Sequence, residues 1–361
     1  MKTKIALYPL CAQSLPFVKY FDKLQDHYEL VKAIALPGMA LSEKDVAHLR
    51  KHPPVGIHLA EQIDLADSSW DMLAFIDSEL IEDDKVAAIL QEAIVQGKTV
   101  ACYNDGTHRE NPIIAKVASD YPGRVVSYAG HDGIHEAAQL MIDIHSIEAP
   151  IMLIGGLVKD ADTTEVLLSL LERLRAEGQH PMGITRHALG EVFGLHSISH
   201  IFNDRRLTEN EKILAINGAI KVWELEERPD VILIEAPDAM MRYDGNVLDD
   251  FGIYTYMLSQ AISLDYIVVC IPYNLAAGVL MEALSEGFEH RFGAPIQAVH
   301  VSNLLIDAPD MTQTRKASYV HLDLAKVHEK LMSEEVRNSA IPMYDMVGDG
   351  IAGFYEQLRS L

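Results

Sequence analysis

The sequence predicts an α/β fold of two Rossmann-like parallel-sheet domains, and three observations carry that prediction. Short apolar runs alternate with amphipathic segments along the chain, the pattern of parallel strands covered by helices. The pattern restarts near Glu148-Ala149-Pro150. A chain of 361 residues, 49% hydrophobic, also exceeds what one core usually covers, so two domains of about 150–200 residues each are expected. The boundary falls between a first domain, 1–148, and a second, 149–361.

In the first domain the strand candidates are "KIALYP" (Lys4–Pro9), "LVKAIALP" (Leu30–Pro37), "MLAFID" (Met72–Asp77), "TVACYN" (Thr99–Asn104) and "RVVSYA" (Arg124–Ala129). Between them "DDKVAAILQEAIVQGK" (Asp83–Lys98) spaces its apolar residues at i, i+3 and i+4 and has a Gly near its stop, which predicts a helix. The second series is "IMLIGG" (Ile151–Gly156), "PMGIT" (Pro181–Thr185), "DVILIEAP" (Asp230–Pro237), "YIVVCIP" (Tyr266–Pro272), "IQAVHVSN" (Ile296–Asn303) and "SYVHLDL" (Ser318–Leu324). Helix-like sequence follows each, and "IAGFYEQLRSL" ends the chain as a helix.

Lys and Arg number 30 against 53 Asp and Glu, a net charge of −23 that repels phosphate backbones and anionic lipid head groups. Nucleic acid and membrane surfaces are therefore not expected partners. Cys11, Cys102 and Cys270 lie in or beside apolar runs with no C-x-x-C spacing, which argues against a disulfide framework or zinc knuckle and for a reducing compartment. The apolar run in "MKTKIALYPL" is too short for a signal peptide, and no stretch approaches the roughly 18–20 apolar residues of a membrane span. The cytoplasm is the expected location.

The strand Ile151–Ile154 runs into Gly155-Gly156 and then a helix, the outline of a phosphate loop. In a working loop, glycines let consecutive N–H groups face phosphate oxygens, a Lys neutralises the β and γ charges, and a Ser or Thr hydroxyl reaches Mg²⁺. Aligned from Gly156, that pattern puts Ala161 at the second Gly, Asp162 at the Lys and Thr163 at the hydroxyl. A carboxylate about 4 Å from a triphosphate is opposed by roughly 4 kcal/mol at an intermediate effective dielectric. The second domain is thus expected to resemble a degenerate P-loop NTPase fold, with Lys159 upstream as the only nearby lysine of the loop. Asp162 ahead of Thr163-Thr164-Glu165 also reads as an N-cap with a capping box, a role that needs no ligand. The alternative is a non-standard anion or ligand at the helix N-terminus.

The run Asp230–Met241 ends in acids at Glu235 and Asp238, where P-loop proteins hold Mg²⁺ and where open α/β sheets form their ligand crevice. Gly155, Gly156, Lys159, Thr163, Glu235 and Asp238 are accordingly the candidate ligand-binding residues. His131 and His135, like His196 and His200, lie four apart and would share a helix face, and His187 stands near a strand end. Asp132 takes the place of a zincin's Glu, but no third ligand is specified by spacing, so no metal ligand is assigned. "LSEKDV" reads as a helix cap from Ser42 and Asp45 with Lys44 at the helix start. "CYNDGTHRENP" leaves its strand as a polar loop bearing Asp105, His108 and Arg109, the kind of segment that carries sites.

"GMALSEKD" (Gly38–Asp45), "EVFGLHSISHIF" (Glu191–Phe202), "ENEKILAINGAIKVWELEERPDVILIEAPDAMM" (Glu209–Met241), "DDFGIYTYMLSQAI" (Asp249–Ile262) and "HVSN" (His300–Asn303) together resemble the clostridial peptide maturation system protein family over nearly the whole chain. That resemblance implies gene clusters in which a radical SAM enzyme modifies a small ribosomally made peptide. It implies a loop without a working Gly-Lys-Thr, and it implies no catalytic residue or cofactor. The expected function is an accessory protein that binds a peptide or small ligand in an interdomain cleft without standard ATP hydrolysis. Its candidate partners are the precursor peptide, the maturase and a second copy of the chain. The alternatives are an ATP-dependent ligase or kinase of the dethiobiotin-synthetase-like type using Lys159, Thr163 and Glu235, and a metal-dependent hydrolase built on the histidine pairs.

Overall fold

The structure, a computed structural model of the chain, describes residues 2–11, 14–36, 44–77, 81–104, 111–128, 143–159, 161–245, 247 and 251–359. It is α/β with two parallel sheets and divides into two compact units, Met1–Asp132 with Arg186–Arg205 and Gly133–Thr185 with Arg206–Leu361.

In the first unit β1 (Thr3–Leu10), β2 (Tyr28–Ala35), β3 (Leu59–Ala60), β4 (Met72–Asp77), β5 (Thr99–Asn104) and β6 (Val125–Tyr128) stand in the order β3-β2-β1-β4-β5-β6. Every pairing is parallel. This is the doubly wound order whose direction of winding reverses between β1 and β4. The five apolar runs read from the sequence are strands, and they bury Ala6, Leu73, Phe75 and Val100 against Leu90 of the helix Asp83–Val95. Helical spacing puts Val86, Leu90 and Ala93 on the buried face of that helix. Asp45 caps the turn that follows residue 44. Its Oδ1 accepts from the Ala47 N–H at 2.9 Å at the start of the 3₁₀ segment Val46–Arg50, and its carboxylate also takes the Val55 and Gly56 N–H groups. Ser42, Asp105, His108, Arg109, His131 and His135 lie outside the described residues.

The second unit is wound on β7 (Ile151–Gly156), β8 (Pro181–Thr185), β10 (Val231–Glu235), β11 (Tyr266–Ile271), β12 (Ile296–Val301) and β15 (Met343–Tyr344). The segment Arg186–Arg205, with the two-residue β9 (His196–Ser197), belongs to the first unit. The second-unit strands stand in the order β15-β12-β11-β7-β10-β8, all parallel. From β7 the chain goes to β8 two places away, returns to β10 between them, and then crosses to β11 on the far side of β7. The carboxyl ends of β7, β10 and β11 therefore border the switch point at which open α/β sheets hold their ligands. Every residue of β7 and β11 is buried, as expected of parallel strands covered on both faces.

The run Ser318–Leu324 does not join this sheet. Its strand, β14 (Tyr319–His321), pairs antiparallel with β13 (Leu304–Ile306) in a separate ladder. Val320 there is exposed while its neighbours are half-buried, so the segment has one wet face, which a doubly covered parallel strand cannot have. Among the described residues no helix is long and apolar enough to cross a membrane.

The approach to β7 is fixed from the helix Glu209–Glu227, which begins with a full capping box between Thr208 and Glu211. The buried Asn217 side chain donates to the His145 and Ala261 carbonyls, each at 2.9 Å, and accepts from the His145 N–H. Two turns on, the Glu224 carboxylate accepts from the Glu148 and Ala149 N–H groups at 2.6 and 2.8 Å and from Lys221. Burial pushes the Glu224 carboxyl up, but Lys221 and the two N–H donors outweigh it and hold the group below its ordinary value. Glu224→Gln is expected to cost about 1–2 kcal/mol at pH 7 in urea denaturation. The depressed group stabilises the fold above its unfolded value and loses that contribution as pH falls through the native one. The gap between wild type and variant should therefore close below the ordinary glutamate value of 4.5.

Candidate functional site

The carboxyl ends of the second sheet gather polar side chains that are far apart in sequence. Glu235 closes β10 with no exposed surface. Its Oε1 accepts from the Thr163 hydroxyl at 2.9 Å and the Thr164 hydroxyl at 2.6 Å, and its Oε2 accepts from the Thr185 hydroxyl at 2.6 Å. Thr163 and Thr164 open the helix Thr163–Ala176, and Thr185 ends β8. A buried carboxylate is tolerated only when its lone pairs are used, and hydroxyls from two other elements use them here. Thr163 and Glu235 are brought into contact, as the phosphate-loop alignment expects, but Thr164 and Thr185 join them.

Asp162 is not the capping residue that the sequence suggests. It sits in the left-handed region at φ 61°, and its side chain makes no cap hydrogen bond. The carboxylate turns instead to His300 of β12, with Oδ2 3.4 Å from Nε2 and both residues buried. The Met346 N–H donates to His300 Nδ1 at 3.0 Å, so Nδ1 carries the lone pair and a neutral ring presents its Nε2 proton to Asp162. Cys270, at the end of β11 beside Gly156 and His300 in register, is fully buried. Burial, with the Asp162 and Glu235 carboxylates near it, pushes its thiol well above the ordinary value, which keeps it protonated and a poor nucleophile.

The two glycines have packing partners. A Cβ on Gly155 would overlap Met240 Sδ and lie 2.6 Å from Met240 Cγ, and one on Gly156 would overlap the Val158 carbonyl oxygen. Met240 is held there by its own N–H, which donates to the Gly156 carbonyl at 2.9 Å. Leu157, Val158 and Ala161 are buried, and Lys159 is the exposed residue among them. Asp238 works as a distant helix cap. Its Oδ1 accepts from the Thr255 N–H at 2.7 Å and hydroxyl at 2.6 Å, and its Oδ2 from the Tyr254 N–H at 3.0 Å. The residue preceding that helix, Gly252, has φ +67° and no room for a Cβ beside the Met240 carbonyl, so it can offer no side-chain cap of its own.

Of the histidines read from the sequence, His187 packs within the first unit. His187 lies edge-on to Phe17 and takes a hydrogen bond from Arg186 Nε at 3.1 Å. Among the described residues no three His, Cys, Asp or Glu side chains are grouped as metal ligands would be. Thr164, Thr185 and His300 are the site residues that the sequence reading missed. Each stands at or next to the carboxyl end of a strand or in the first turn after one, so pooling the polar residues of all strand ends would have collected them.

Two substitutions test these assignments. Thr185→Val removes a donor from a buried carboxylate without changing shape and should cost about 1–3 kcal/mol in urea denaturation. Gly155→Ala and Met240→Ala should each destabilise by about 1–3 kcal/mol. The double variant should cost clearly less than both together, because removing the Met240 side chain vacates the space the new Cβ needs. Additive losses would mean that Gly155 is not there for Met240.

No protein-family model matches the chain. No curated protein matches it. Among solved structures it is similar to a DUF1611 family protein from Anabaena variabilis, at 11% identity and a TM-score of 0.65, with 100% of each chain covered. That likeness establishes a shared fold along the full length of both chains.

Proposed function

We propose that the chain is an accessory protein of a ribosomal peptide maturation system, and that it binds a peptide or small ligand at the carboxyl rim of its second sheet without turning over ATP. The observation that carries this reading is the state of the two carboxylates in the loop region. Asp162 holds the place of the phosphate-binding lysine and is engaged by His300. Glu235, in the place of the acid that reaches Mg²⁺, has no exposed surface and takes three hydroxyl donors. A metal at Glu235 would have to displace those hydroxyls, and a triphosphate would meet a carboxylate where it needs an ammonium. Mg²⁺–ATP therefore does not fit the residues present. The resemblance of the sequence to peptide maturation proteins supports a peptide as the ligand.

The ATP-dependent ligase or kinase keeps one specific support. Thr163 and Glu235 would share a single Mg²⁺ in a working loop, and they lie within hydrogen-bond distance. Titration calorimetry with ATP and Mg²⁺ separates the two readings. No binding heat is expected, and micromolar affinity would reverse the choice. In that event Lys159→Ala should abolish turnover, since Lys159 is the lysine left to neutralise the phosphates. Mass spectrometry of protein taken directly from cells, inspected for a co-purified ligand, would identify the occupant.

A further inference from the structure

Beyond β12 the chain leaves the second sheet at its carboxyl edge through Ser302 and Asn303, both buried. The Ser302 N–H donates to the Ile271 carbonyl at the end of β11 at 2.9 Å, and the Asn303 side chain donates to the Leu322 carbonyl at 2.9 Å. The Leu322 N–H returns a bond to the Asn303 carbonyl at 2.8 Å, so the points of departure and return are tied together. Between them stand β13, the helix Ala308–Thr314 and β14. Asp307 joins the three. Its N–H donates to the Ser318 carbonyl at 3.0 Å, and its carboxylate accepts from the Asp310 N–H in the first turn of the helix at 3.2 Å.

This segment has an apolar cluster of its own. Ile306 and Met311 are buried together with Val247, and Tyr243, Leu275 and Tyr319 pack against them. Leu275 belongs to the turn Tyr273–Leu275 that follows β11, and Tyr243 and Val247 belong to the loop that follows β10. The Ile306 N–H adds a bond to Asn274 Oδ1 at 3.2 Å. The segment therefore rests on the loops that leave two of the strands bordering the switch point, and the β10 loop also carries Met240, packed against Gly155. Among the described residues, three buried apolar side chains are a small core for a helix and a hairpin, and an isolated two-stranded hairpin is marginally stable in water. Val320, 49% exposed, leaves the outer face of β14 in solvent. A body with few buried contacts, tied at one root, opens at lower free energy than the sheet that carries it, whose strands β11 and β12 are buried but for Gln297.

We infer that β13, β14 and the helix between them form a lid on the carboxyl rim of the second sheet, hinged at Asn303 and Leu322 and latched by the cluster around Met311. Opening breaks that cluster and the Ile306–Asn274 bond and leaves the sheet folded. The lid rests on the reading of the rim as the ligand site and adds how a ligand gains entry to it. The test is hydrogen exchange on the full chain, read by mass spectrometry. Residues 304–321 should exchange together and at least about tenfold faster than β11 and β12. Met311→Ala should speed the exchange of all of them by about tenfold or more, while β11 and β12 keep their wild-type rates. Entry beneath the lid is read independently by labelling Leu275→Cys with a thiol reagent and locating the label by mass. Adding Met311→Ala to that variant should raise the labelling rate by about tenfold or more. Circular dichroism should show an intact fold, and Ile306→Val carries the same comparison with a rise of about threefold should Met311→Ala fail to fold. Exchange of residues 304–321 at the rate of β12, exchange of the helix without the hairpin, or a labelling rate that Met311→Ala does not change would overturn the proposal. None of these measurements needs a ligand. ATP binding would therefore overturn the function proposed above without touching them, and failure of the lid would leave the ATP answer standing.

Discussion

A carboxylate with no exposed surface must be supplied with donors, and the carboxyl edge of the second sheet is arranged around supplying them to Glu235. The three hydroxyls come from the strand two places from β7 and from the first turn of the helix that follows β7. Their bonds tie the start of that helix to the ends of β10 and β8. The loop between Gly156 and Thr163 is then strung between two fixed points. Asp162 enters the helix at positive φ, and the cost of holding a non-glycine there is offset by its buried contact with His300. Losing any donor would leave a buried anion short of a partner, which is more damaging than losing a surface hydrogen bond.

The same residue types serve phosphate loops and tight packing, and here packing accounts for them. Glycine in a phosphate loop lets the backbone approach an anion. At Gly155 and Gly156 the close approach is to Met240 and to the Val158 carbonyl instead. A threonine at the loop's end that would reach Mg²⁺ reaches the acid directly. An acid following a strand that would sit in the metal's outer shell, Asp238, takes the N–H groups of a helix that lacks its own cap.

How much of this was legible in the sequence follows from the range of each interaction. Strands covered on both faces are continuous apolar runs, so β7, β10, β11 and β12 could be read directly. β3, β9 and β15 are two residues long and carry no period, and the passage of Arg186–Arg205 into the first unit is a matter of tertiary contact alone. The meeting of Thr163 with Glu235 was readable because a motif alignment supplies a non-local contact. Thr185 and His300 were not, since nothing local links them to the loop. The capping box at Asp162 was misread for the same reason. Local chemistry favours the cap, but His300, from a strand two places away in the sheet, draws the carboxylate elsewhere. Asp238 was placed at the right strand mouth, yet its role depends on Gly252, which the chain reaches only after a loop.

The charge at this edge points to the kind of ligand that could approach it. Asp162 and Glu235 are close enough to act together on the Cys270 thiol, and the donors seen on them are an imidazole and hydroxyls, groups that solvate a negative charge without cancelling it. Field from two such carboxylates in a poorly solvated edge reaches further than it would in water. An anion brought to the loop would meet that field, whereas a neutral or cationic group would not be opposed. A nucleotide, whose phosphates would have to lie in the loop itself, would be opposed there.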